Sequence, residues 1–120
     1  MAEMSPKIQN QIAQYQNIQQ QLQMVMSQKN QYSLQLEEVE RALEELGKSK
    51  PDTPTYKNIG SLLIKVESID DLKKELGEMK DTLGIKLKSM ERQEGQLKER
   101  FDSLRNELTQ ALKGGAGGAE

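Results

Sequence analysis

Polar and apolar positions along this chain alternate in two long stripes, separated by a break near the middle. In the first half, positions seven apart hold Ile8, Tyr15, Leu22, Lys29, Leu36 and Leu43. Three residues beyond each stand Gln11, Ile18, Val25, Tyr32, Val39 and Leu46. The second half reads Ile69, Leu72, Leu76, Met79, Leu83, Leu87, Met90, Glu94, Leu97, Phe101, Leu104, Leu108 and Leu112. Steps of three and four keep one helix face apolar, the spacing of a coiled-coil seam. Folding the chain back on itself sets Leu46 against Ile69, Leu43 against Leu72, Val39 against Leu76 and Leu36 against Met79. It also sets Tyr32 against Leu83, Val25 against Met90 and Ile18 against Leu97, and each pair of indices totals 115. The pattern predicts a mainly α fold, a long antiparallel coiled-coil hairpin in a single domain.

Helix 1 is expected over residues 5–46. Ser5 can accept a hydrogen bond from a first-turn N–H, and Pro6 suits the first helical position because its missing donor costs nothing there. Gly47 is expected to close the helix in the left-handed conformation. Helix 2 is expected over residues 68–113, with Ser68 as its cap and Asp70 and Asp71 complementing the helix dipole. Gly114 and Gly115 then end it, leaving residues 114–120 as a flexible tail. Met79, Leu83 and Leu87 follow one another at two successive steps of four, a stutter that locally unwinds a supercoil. Gly77, Gly84 and Gly95 interrupt this helix at about 1 kcal/mol each relative to Ala. They read either as neutral residues on a solvated face or as points of local bending.

Residues 47–67 cannot continue the rod, because Pro51 and Pro54 remove backbone donors and clash with a preceding turn. After them, Thr55–Ile59 and Leu62–Glu67 flank Gly60-Ser61, which reads as a β-hairpin between the helices. Leu62, Ile64 and Val66 share one face of the second strand, and Leu63, Lys65 and Glu67 the other. A lone two-stranded hairpin is marginal in water. This one also carries Tyr56, Ile59, Leu62, Leu63, Ile64 and Val66 beside a seam that is already used. Assembly through the hairpins into a larger sheet or barrel platform satisfies both the apolar faces and the open edges. Tyr56, Ile59, Gly60, Leu62, Leu63, Ile64 and Val66 are the candidate oligomerisation residues.

Composition narrows the function. Apolar residues make up 34% and charged residues 30% of the 120 positions, too little for a filled globule but enough for a seam. A net charge of −2 and four aromatic residues (three Tyr, one Phe) give no electrostatic footprint or stacking platform for nucleic acid. No apolar run approaches the roughly 20 residues that span a bilayer. The start, MAEMSPK, lacks a hydrophobic signal core, which makes a cytoplasmic location the expectation. With no His and no Cys, and with carboxylates on solvated faces, no catalytic residues, metal site or cofactor are expected. The chain is not read as an enzyme.

The hairpin path brings both chain ends to one free tip, and binding is expected there. The candidates are Met1, Met4, Ile8 and Ile12 from the first helix, with Phe101, Leu104, Leu108 and Leu112 from the second. Ile12 lies one position off the strict heptad, where Gln11 holds the expected core site. Met suits loose capture of varied sequences because its side chain is flexible and polarisable. For Ile8, Leu104 and Leu108 the heptad spacing alone also predicts seam packing, and a splayed end reconciles both roles. Lys29 and Glu94, which interrupt the seam, are expected to fix register and to reach water with their charged ends. Between Gln9 and Gln35 stand eleven Gln and a single charge, Lys29, a composition that reads as a solvated surface.

The run Tyr56-Lys57-Asn58-Ile59-Gly60-Ser61-Leu62-Leu63-Ile64-Lys65-Val66 between two long helices resembles the prefoldin family, in the pattern of its β class. Ala42-Leu43-Glu44-Glu45-Leu46 and Met90-Glu91-Arg92-Gln93-Glu94 are similar to stretches of the same class. The resemblance covers about Ser5 to Lys113. It implies a jellyfish-shaped hexamer, in archaea two α-type and four β-type subunits, with a body of β-barrels made by the hairpins. Its arm tips would hold unfolded polypeptides and deliver them to a group II chaperonin without ATP. The rival reading is a structural coiled-coil adaptor or scaffold subunit of a multiprotein complex.

Overall fold

The computed structural model describes residues 5–118, with side chains through Gly114. Helix α1 spans Pro6–Lys48, strands β1 and β2 span Tyr56–Ile59 and Leu62–Lys65, and helix α2 spans Ile69–Gly118. The chain forms two compact units. Unit 1 takes α1 up to Lys29 and α2 from Ser89 onward, and unit 2 is Asn30–Lys88.

Both helix starts follow from their caps. Ile8 N–H donates to Ser5 Oγ at 3.2 Å, and Asp71 N–H donates to Ser68 Oγ at 3.2 Å. Both helix ends differ from the expectation. Helix α1 runs through Gly47 to Lys48, because Gly47 keeps a negative φ. What stops it is Pro51, which disfavours helical conformation at Lys50. Ser49 closes the last turn, its N–H and Oγ both donating to the Glu45 carbonyl at 3.1 and 2.9 Å. Helix α2 likewise continues past Gly114 to Gly118. Glycine weakens a helix but removes no hydrogen bond, so without a left-handed turn or a proline the ladder carries on.

Within each unit the helix segments pair antiparallel along the expected stripes. In unit 1, Ile18, Leu104 and Leu108 are buried, and Tyr15 stacks on Phe101 with ring centroids 4.6 Å apart. In unit 2, Val39, Leu46 and Leu83 are buried, and Lys86 Nζ lies 5.6 Å from the centre of the Tyr32 ring. Every seam position expected on α1 is buried or half-buried. Two on α2 are not, Met79 and Leu112. At 3.6 residues a turn, Met79 sits at the margin of its stripe just before the stutter. A Cβ placed on Gly77, Gly84 or Gly95 meets no atom within 4 Å, so packing does not demand glycine there. The Gln side chains of α1 in unit 1 are exposed, apart from half-buried Gln11.

The hairpin pairs Tyr56 with Lys65, Lys57 with Ile64, Asn58 with Leu63 and Ile59 with Leu62. Gly60 turns it with φ 59°, the only positive φ among the described residues. A positive φ at the first central position alone suits a two-residue turn of the II′ kind, which matches strand twist. Val66 N–H extends the ladder by donating to the Thr55 carbonyl at 2.8 Å. Lys57 Nζ donates to both carboxylate oxygens of Glu75, at 3.0 and 3.2 Å, which ties β1 to α2.

Candidate functional site

Two groups of apolar residues stand out, one in each unit. In unit 2 the register divides the hairpin into two faces. Ile59, Leu62 and Ile64 share one face with Lys57, while Tyr56 and Leu63 share the other with Asn58 and Lys65. All five apolar side chains are exposed, Leu63 to 72%, and only Val66 is half-buried. Each strand also keeps one edge without a ladder partner. An apolar sheet that is bare on both faces and both edges is a surface for association rather than a finished core.

In unit 1 the expected binding residues separate by depth. Leu104 and Leu108 are buried in the seam, so the heptad spacing describes their packing in this structure. Ile8, Ile12 and Phe101 are half-buried, and Leu112 is 51% exposed. Met1 and Met4 lie outside the described residues. Ile12 gains its partial exposure from its place beside the heptad, next to Gln11. Sequence reasoning passed over Met24, which is exposed on the rim of an open groove with Val25 and Leu97 at its base and Gln28 and Arg100 along its sides. Its signal was an apolar residue off the stripe in an otherwise amide-rich run. Leu34 and Ile85 in unit 2 are exposed and were passed over in the same way.

The polar interruption of the seam brings its two charges together: Lys29 Nζ donates to Glu94 Oε1 at 3.0 Å, with 33% of the Lys29 side chain and 11% of the Glu94 side chain exposed. Lys98 Nζ stands 3.8 Å from the same oxygen. The Lys29 hydrogen bond, aided by the charges of Lys29 and Lys98, lowers the Glu94 pKa against the opposing effect of burial. Opposite charges on facing stripes were the signal for this pair.

Among the described residues, no three His, Cys, Asp or Glu side chains come together as a metal site. No helix there is long and apolar enough to cross a membrane.

The comparisons with known proteins converge. The family described as "Prefoldin subunit" matches residues 9–115. Prefoldin subunit beta of Archaeoglobus fulgidus is 44% identical over 117 residues, covering 98% of this chain and 100% of the relative. Prefoldin subunit beta of Pyrobaculum arsenaticum is 37% identical over 118 residues, covering 96% and 94%. The crystal structure of the prefoldin beta subunit from Thermococcus strain KS-1 superposes with a TM-score of 0.80 at 36% identity, covering 93% of this chain and 97% of that one. Two long helices joined by one exposed hairpin, matched over nearly their whole length, thus place the chain in the prefoldin family as a β-type chaperone subunit, non-enzymatic and built to assemble with other subunits.

Proposed function

We propose that the chain captures non-native polypeptides at the ends of its helix pair in unit 1 and passes them to a group II chaperonin without ATP. It acts within a cytoplasmic hexamer of two α-type and four β-type subunits, whose hairpins join into β-barrels. Leu112 is the observation that carries the capture reading: a large apolar side chain half open to water, beside the seam leucines Leu104 and Leu108. Each apolar side chain fully buried against a client is worth about 1.5–3 kcal/mol. Several arms acting together multiply such weak contacts through effective concentration, so no single tight site is needed. The bare hairpin supports the assembly half of the reading, because five exposed apolar side chains need neighbouring sheets.

Truncation tests the capture reading. Removing residues 1–8 together with 108–120 should abolish protection of an aggregating client while the native mass of the complex with its α-type partner stays that of a hexamer. Undiminished protection by the intact truncated complex would refute capture at these ends.

A further inference from the structure

The seam of unit 1 has one position where the heptad calls for an apolar side chain and the chain supplies an amide. Gln11 lies between Ile8 and Tyr15 on the stripe and is half-buried. Its Oε1 is buried with no hydrogen-bond donor among the described residues. Its Nε2 donates across the pair to Glu107 Oε2 at 3.5 Å, the long limit for such a bond, and Glu107 is itself exposed. A buried acceptor without a donor weakens the closed state by roughly fivefold to a hundredfold, because opening returns it to water. Glu107 is flanked on α2 by Leu104 and Leu108, the two buried leucines of this unit. Any opening that relieves Gln11 therefore acts where those leucines are held.

We propose that Gln11 is a built-in opening point of the helix pair in unit 1, through which Ile8, Leu104 and Leu108 exchange between the seam and solvent. The inference rests on the capture reading for its purpose and adds what makes buried seam residues available to a client. With Leu at position 11 this turn of the seam would be apolar throughout, and the pair would close further. With Gln there, the seam pays continuously toward the open form, while Ile18 and the Tyr15–Phe101 stack hold the next turns together. Gln11 is thus a positioning residue: it sets how often the apolar side chains are presented and need not touch the client.

Hydrogen exchange on the assembled complex, without client, tests this. Gln11→Leu and Gln11→Met should raise amide protection over residues 8–18 and 101–112 by roughly tenfold. Gln14→Leu, an apolar substitution on the exposed face, should leave it unchanged. Client protection by the Gln11→Leu complex should fall at unchanged native mass. Unchanged exchange in both Gln11 variants would overturn the opening point, as would an equal rise with Gln14→Leu. Slower exchange with undiminished client protection would keep the opening point and reject capture by the seam leucines, so the two ideas fail separately.

Discussion

Ile59, Leu62, Leu63 and Ile64 in unit 2 are 46–72% exposed, whereas Leu104 and Leu108 in unit 1 keep 7% and 8% of their surface. The two regions use similar side chains, and the backbone around them decides the outcome. A helix satisfies its own hydrogen bonds, so two helices need only a stripe of contact to hide their apolar residues. A two-stranded sheet has free edges and two faces, and four-residue strands cannot cover either. The hairpin therefore leaves its apolar side chains open to a partner, while the helix pair hides most of its own.

The largest effect is expected where the hairpin loses its apolar face. Leu62→Asp combined with Ile64→Asp should weaken association by roughly a hundredfold or more, since each buried aliphatic side chain contributes about 1.5–3 kcal/mol. Native mass spectrometry should then find chiefly single chains, with the helical circular dichroism signal retained. A surviving hexamer would mean that the exposed hairpin is not what holds the subunits.

A smaller and more local effect separates buried from exposed leucine in unit 1. Leu104→Ala should cost about 2–5 kcal/mol of stability through the cavity it leaves. Leu112→Ala should stay within about 0.5 kcal/mol, as surface changes usually do, and yet reduce client protection. Thermal unfolding and aggregation assays on the two variants check the contrast. Equal stability losses would show Leu112 to be packed like its neighbour.

The smallest effect concerns Lys29 and Glu94, and it depends on pH. The Glu94 pKa lies below its ordinary value. Its contribution is therefore fully present above the ordinary carboxylate range and is lost as pH falls through the lowered pKa. Lys29→Met should lower the melting temperature at neutral pH, because the Glu94 carboxylate loses its hydrogen-bonded partner and keeps only the more distant Lys98. Lys29→Met with Glu94→Leu should recover it or exceed it and flatten the acid limb of the melting curve. An unchanged acid limb in the double variant would assign the acid sensitivity to other carboxylates.

Much of this fold was legible in the chain because periodic burial leaves a periodic record. The stripe from Ile8 to Leu46, the caps at Ser5 and Ser68, and the turn at Gly60 each follow from a local rule that the surrounding structure does not override. The helix ends were less legible. Gly47 and Gly114 permit a stop without compelling one, and only the prolines beyond α1 enforce it. The Lys29–Glu94 pair was hidden because it does not join facing positions: two long side chains lean along the pair to meet, which a constant index total does not show. Met24, Ile85 and Leu34 were legible only as apolar residues off the stripe, which marks them as exposed without giving them a role. Gln11 was visible as an exception to the heptad, but its unsatisfied oxygen depends on how two side chains meet across the pair.

One further consequence lies in the amide-covered face of α1 in unit 1, where Lys29 is the only charge after Gln9. Amides carry no net charge, so this wall adds nothing to the long-range field of unit 1, which is left to the charges of α2 beside it. Were clients captured as proposed, this side of the pair would neither favour nor oppose them by charge, and selection would fall to the greasy residues they display.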